Sequence, residues 1–294
     1  PKQIALLKAQ FEIEPDLPEY LKDGVFKEKN TFPCWVRFSN QNSPQAADNV
    51  KDIRGVAIKL MSVEGEKILP GEKEEKTQDF ILISTSYFVT KNIVAFAKLI
   101  KSLTSGKLRT YLFFLLHPRI TYNLLTTNKR FVSLLEARFW SVAPYLFGNE
   151  AVKYTLKPQS PAVTAAPEKP APNYLTSVMS EQLKNNDYAF DFMVQFQKDP
   201  KRMPEENLSK AWNEEESPFI KVATLRIPIQ EFDSKPQVDY GEILSFTPWH
   251  SLPEHRPIGN INRGRKVVYD TLSSFRHEQN KLPKIEPVDF NIPK

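Results

Sequence analysis

Arg265 and Tyr269 stand four residues apart in a stretch, Asn262 to His277, that reads as a helix. Four residues is close to one helical turn, so the two side chains share a face. A guanidinium beside a phenol favours the phenolate. An isolated tyrosine ionises only near pH ~10, so a tyrosinate at neutral pH needs help of that kind. Tyrosinate is a hard anionic ligand for ferric iron. The same spacing also makes an Arg–Tyr packing pair, its commoner meaning when it stands alone. Other catalytic signatures are missing: no HExxH, GxSxG, P-loop or GxGxxG occurs. None of the four histidines, His117, His250, His255 and His277, lies at HExxH spacing, and each is expected to be a satisfied structural residue.

A second stretch gives the Arg–Tyr pair a context. Val36-Arg37-Phe38-Ser39-Asn40 is followed by Asp52-Ile53-Arg54-Gly55-Val56-Ala57-Ile58-Lys59-Leu60. Thr77-Gln78-Asp79-Phe80 and Leu244-Ser245-Phe246-Thr247-Pro248-Trp249-His250 flank them in order. These motifs resemble the catalase-related family of haem proteins, in which a (V/A)RFS strand precedes a D-x-RG-x-A-x-K strand. The flanking stretches are similar to its smaller branch, which includes bacterial haem peroxidases and the allene oxide synthase domain of corals. The resemblance runs from about residue 8 to 278. It implies haem b as cofactor, Tyr269 as iron ligand and Arg265 as the donor to its oxygen. It also implies Arg37 on a haem propionate, as suits a guanidinium. Ser39 falls where the family orients a distal histidine. Val56 falls on the strand whose apolar side chain covers the distal face, and Phe80 and Phe88 are candidate pocket walls. Asp52 and Arg54 are expected to hold strands together.

The departures from the family are on the distal side. The resemblance puts the distal histidine one residue before Pro1, and the chain has no histidine before His117. A chain that begins at Pro1 without Met is expected to be a trimmed product. The family's distal Asn should fall near Ile83–Ser86, where Ser84, Thr85 or Ser86 would have to supply a hydroxyl instead. The implied activity is that of a haem enzyme acting on hydroperoxides, organic or fatty-acid ones rather than hydrogen peroxide. The competing expectation is a non-catalytic haem or lipid carrier of the same fold.

The elements that must position these residues read as follows. Residues 31–39, 53–62, 79–89 and 218–228 have the β-branched and aromatic content of strands. Residues 91–140 read as helices broken at Gly106 and Pro118, and 175–199 as a helix and then an extended run. The Pro/Ala-rich stretch 157–173 is expected to be an extended connection. Strands first, helices next, then a late strand and helix make an α+β pattern. With the resemblance, it implies a single catalase-like antiparallel β-barrel with flanking helices and a Pro-rich wrapping segment. In 294 residues, 24 prolines against 9 glycines suit long, stiff connections rather than phosphate loops. The single Cys34 excludes an internal disulfide and multi-Cys metal sites, and suits a reducing compartment.

Charge is uneven. Residues 91–140 hold nine Lys/Arg against Glu136 alone, a net +8, which leaves −3 for the rest of a chain of net charge +5. Apolar residues interleave with these cations at helical spacing. The segment is expected to be an ordinary surface region or a contact for an anionic membrane. Nucleic acid is not expected, since no reader motif accompanies the charge. The longest strongly apolar run, Tyr111 to Leu116, is too short to span a bilayer. Large catalases assemble through long arms, and for this shorter chain a monomer or homodimer is expected.

Overall fold

The computed structural model describes residues 2–41, 46–165 and 168–292. Among them, nine strands run antiparallel. They are β1 (Gln3–Ile13), β2 (Thr31–Asn40), β3 (Arg54–Met61), β4 (Thr77–Ile83), β5 (Phe139–Trp140), β6 (Tyr145–Phe147), β7 (Glu150–Pro158), β8 (Tyr188–Phe196) and β9 (Ile220–Ile227). The order β5-β4-β3-β2-β1-β9-β8-β7 closes through a β5–β7 pairing into an eight-stranded barrel, and β6 pairs with the start of β7 along the edge that β5 also uses. The β6–β7 hairpin turns on Gly148-Asn149, with Gly148 at φ 61°, the left-handed backbone a two-residue hairpin needs. This is the catalase-like α+β architecture expected from the sequence.

The barrel is filled rather than hollow. Phe11, Phe26, Phe80, Phe147, Tyr154, Phe192 and His255 form one buried aromatic cluster, with Phe80 and Phe192 ring centroids 4.9 Å apart. Eight strands leave an interior that side chains can just fill. Chemistry must therefore lie outside the barrel.

Six helices flank it among the described residues: α1 (Ile93–Thr104), α2 (Lys107–Leu116), α3 (Pro118–Thr127), α4 (Tyr174–Asn185), α5 (Lys235–Ile243) and α6 (Gly259–Asn280). The helical reading of 91–140 holds only to Thr127. Beyond it Asp52 and Lys129 bridge the two segments, Leu134, Leu135 and Phe139 enter the barrel core, and β5 closes the sheet. The strand read as 79–89 stops at Ile83, because the next residue exchanges backbone and side-chain hydrogen bonds with Arg54. Within 157–173, β7 runs to Pro158 and the other described residues form no helix or strand; 166–167 lie outside the described residues.

Candidate functional site

Strand alternation decides which of the expected residues can meet. On β2, Val36 and Phe38 point into the barrel, while Trp35, Arg37 and Ser39 point outward. Arg37 lies opposite Ala57 and Ser39 opposite Gly55 on β3; these in turn lie opposite Ile81 and Ile83 on β4. All six are only half-buried. The outer sheet surface is shallow here, and a Cβ added at Gly55 would come within 3.2 Å of Ser39 Oγ.

Helix α6 lies outside this patch. Its Ile261 clusters with Ile83 and Phe88, and its Arg276 is close enough to Arg37 to oppose its charge. At 100° per residue, Arg265, Tyr269, Leu272 and Arg276 fall on one face of α6. Arg265 Nη2 donates to Tyr269 Oη at 3.1 Å, and the guanidinium lies 5.1 Å from the ring centre. Arg265 Nη1 donates to Asn262 Oδ1 at 3.2 Å, and Asn262 is itself held by donating to the carbonyls of Pro144 and Ile258. Trp249 Nε1 donates to the Asn262 carbonyl at 2.7 Å, so the Pro248-Trp249-His250 element braces the same turn. Burial works against the Arg265 charge, but the oxygens of Tyr269 and Tyr145 outweigh it and raise its pKa. Tyr145 is buried in the field of Arg265, and its hydroxyl makes no well-formed hydrogen bond.

The other end of the site is electrically incomplete. Burial lowers the pKa of Arg37 and of Arg276, with Glu242 opposing in both, and at Arg37 the charge of Arg276 lowers it further. The Arg37–Glu242 pair is long, at 3.8 Å. Arg276 Nη2 donates to Leu244 O and Ser245 Oγ. The Nε atoms of both arginines are buried without a partner. An unpaired buried donor on a cation is costly, and an anionic ligand would satisfy both. Between them and Arg265, Leu272 is 61% exposed although it shares their helix face. An apolar centre, two guanidiniums with unpartnered Nε donors at one end and an Arg-braced phenol fit a flat apolar iron-bearing group with carboxylate arms. The haem implied by the sequence motifs has that chemistry.

Arg37 and Ser39 thus lie on the outer sheet face and Arg265 and Tyr269 on the helix face that carries Arg276, the neighbour of Arg37; the space between these faces is the candidate cleft. Phe88 borders it, packed on Phe96 of α1 and in the Ile261 cluster. Val56 and Phe80 do not reach it. Both point into the barrel, Val56 opposite Phe38 and Phe80 in the aromatic core, since a side chain one position along a strand faces the other side of the sheet. Their assignment to the cofactor is corrected to core packing. Arg276 and Asn262 were not assigned from sequence. They lie seven residues to either side of Tyr269, two helical turns each way, a spacing that was there to be read.

The distal hydroxyls are occupied. Ser84 Oγ accepts from Arg54 N at 2.9 Å, and Thr85 Oγ1 donates to Tyr87 O at 3.1 Å. Ser86 lines a separate cavity beside Lys153, Trp140 and Trp212. Arg54 Nη2 donates to the carbonyls of Asp48 and Val50, so its guanidinium holds the loop that leads into β3 rather than a second strand. All four histidines are held elsewhere: His117 by Phe113 O, His250 by Thr77 and Glu72, His255 by Val25 N and Tyr154, His277 by Ile243 O.

The sequence matches no protein-family model and no curated protein. Its structure is similar to those of catalases. A fungal catalase aligns with TM-score 0.74 and 19% identity over 94% of this chain and 58% of its own. A bacterial catalase aligns with TM-score 0.73 and 17% identity over 98% of this chain and 60% of its own. Catalase A from Saccharomyces cerevisiae aligns with TM-score 0.73 and 18% identity over 92% of this chain and 59% of its own. The chain therefore spans about three-fifths of the length of these catalases, and at such identity the likeness is one of fold.

Proposed function

We propose that this protein is a haem-dependent oxidoreductase acting on hydroperoxides, organic or fatty-acid hydroperoxides in preference to hydrogen peroxide. One observation carries the reading. The Arg265–Tyr269 pair shares a helix face with Arg276, which meets Arg37 where both lack partners for buried donors. Tyr269 would hold the iron of haem b, and Arg37 and Arg276 its propionates. When bound, haem supplies a ferric centre able to take up the oxygens of a hydroperoxide and cleave the bond between them.

The chain's own residues set the conditions. Arg265, fixed by Asn262, keeps a positive charge against the Tyr269 oxygen. Leu272 and the small residues Gly55 and Ala57 keep the two sides of the cleft apolar and shallow. Ser39 places a hydroxyl on the sheet side, able to orient a neighbouring base. These features support a haem site between α6 and the sheet.

A second reading is a haem or lipid carrier without catalysis. It draws support from Ser84 and Thr85, whose hydroxyls are bound to backbone, and from the four histidines, whose ring nitrogens are engaged with other partners. Reconstitution with haem followed by absorption spectroscopy decides between them. A ferric tyrosinate spectrum that changes on adding a fatty-acid hydroperoxide, with turnover, supports the enzyme. The same spectrum with no turnover supports the carrier, and no haem uptake overturns both.

A further inference from the structure

Helix α2 has no buried residue. Leu108, Tyr111, Leu112 and Leu115 recur at i, i+3, i+4 and i+7 and form one outward stripe, with Leu108 72% and Leu115 65% exposed. Lys107 and Arg109 flank the stripe on opposite sides. Exposed apolar side chains continue onto α1 at Ile100 and Leu103 and onto α3 at Tyr122 and Leu125. The inner side of the three helices is already satisfied: Phe113, Phe114, Ile120 and Leu124 pack on Ile53, Val89 and Leu99. The outward stripe is therefore left over after the fold is complete. Scattered exposed apolar residues need no explanation, whereas a contiguous run of them marks an interaction surface.

The charge around the stripe selects its occupant. Lys98, Lys101, Lys107, Arg109, Arg119, Lys129 and Arg130 are exposed, and none pairs with a carboxylate among the described residues. A second copy of this surface would bring like charges together. No helix among the described residues is long and apolar enough to cross a membrane, so contact must be in the plane of the interface. An apolar stripe between two rows of snorkelling cations suits an anionic bilayer surface, with acyl chains beneath the stripe and headgroups on the cations.

We propose that α1–α3 form a membrane-binding face, with α2 lying in the surface of an anionic bilayer. The face is joined to the candidate cleft. Ile93 N at the start of α1 donates to Asn260 Oδ1 at 2.9 Å, and its side chain fills the space beside Gly264, where an added Cβ would lie 2.8 Å from Ile93 Cδ1. Gly264 precedes Arg265. Binding through α2 thus sets the cleft beside the bilayer, where acyl-chain hydroperoxides are available; this last consequence rests on the haem reading, whereas binding itself does not.

Cosedimentation of the full chain, without haem, with vesicles tests the face. Binding is expected to phosphatidylcholine vesicles containing phosphatidylglycerol at low salt, weaker at high salt because screening shortens the reach of exposed charges. Leu112→Asp with Leu115→Asp should abolish binding at either salt, with circular dichroism and Tm unchanged because both residues are outside the core. Lys107→Glu with Arg109→Glu should weaken it roughly a hundredfold or more. The proposal is overturned by no binding at low salt, by binding that the leucine variant leaves intact, or by self-association that this variant abolishes in a protein that ignores vesicles. As the readout needs no haem, its failure leaves the haem reading standing, and failed haem uptake leaves this one.

Discussion

The Arg265 guanidinium is fixed from two sides, donating to Tyr269 Oη at 3.1 Å and to Asn262 Oδ1 at 3.2 Å. A guanidinium so held keeps its charge against the Tyr269 oxygen. If Tyr269 is the iron ligand, Tyr269→Phe should lose the ferric tyrosinate spectrum while far-ultraviolet circular dichroism stays unchanged. Arg265→Leu should retain haem but weaken it on the order of 10–100-fold, the usual cost of removing a partner of a metal ligand. Haem titration followed by absorption checks both, and an unaltered spectrum in Tyr269→Phe would end the assignment.

Arg37 and Arg276 make a prediction with a sign of its own. Without an anionic ligand the two like charges repel, and their Nε donors are unpaired. Arg37→Leu should therefore leave the haem-free protein as stable or more stable, while weakening haem binding by about 10–100-fold, the value of a hydrogen bond to a charged group. Thermal melts with and without haem read both effects. A loss of stability in the haem-free variant would show Arg37 to be a structural residue only.

A buried ionic network fastens the C-terminal segment to the barrel. Lys59 pairs with Asp79 at 2.8 Å and with Glu286 at 2.7 Å, while Glu72 meets His250 at 2.9 Å and also Lys284. Burial alone would raise the Glu72 carboxyl, but the hydrogen bonds and charges of His250 and Lys284 outweigh it and hold the pKa down to about 2. A carboxyl depressed in the fold contributes stability above its unfolded value of ~4.5, and loses it as pH falls through about 2. Glu72→Gln should be less stable near neutral pH by about 1–3 kcal/mol and converge with the parent in strong acid. Denaturant midpoints across that range check it; a constant difference would mean that Glu72 acts by packing.

Lys153 predicts the opposite effect of substitution. It is 4% exposed, its Nζ has no hydrogen-bond partner, and it lies over the Trp212 ring at 4.8 Å. Burial pushes its pKa down to about 7. The unfolded chain keeps that proton up to ~10.4, so stability should rise with pH between about 7 and 10. Lys153→Met should raise Tm at neutral pH, by on the order of a few kcal/mol of stability, with the gain shrinking towards pH 10. A gain that does not shrink would mean that the lysine is not titrating.

The local rules were legible in the chain itself. β2, β3 and β9 show the β-branched and aromatic content of strands, and α6 shows the four-residue spacing that aligns Arg265 with Tyr269. Both follow from short-range geometry. Strands buried on both faces escaped it. β1 packs Leu7 and Ala9 into the barrel and Leu6 against Trp35 and Tyr240, so no alternation marks it, and β7 hides Lys153 in the same way. The cleft also required the closed barrel. Only strand register shows that Arg37 and Ser39 face outward while Val56 and Phe80 face in. Only the crossing of α6 over β2 and β3 brings Arg276, distant in sequence, beside Arg37. Sequence spacing carries contacts within one element; which faces of two elements meet is set by packing between them, and tertiary structure alone decides that.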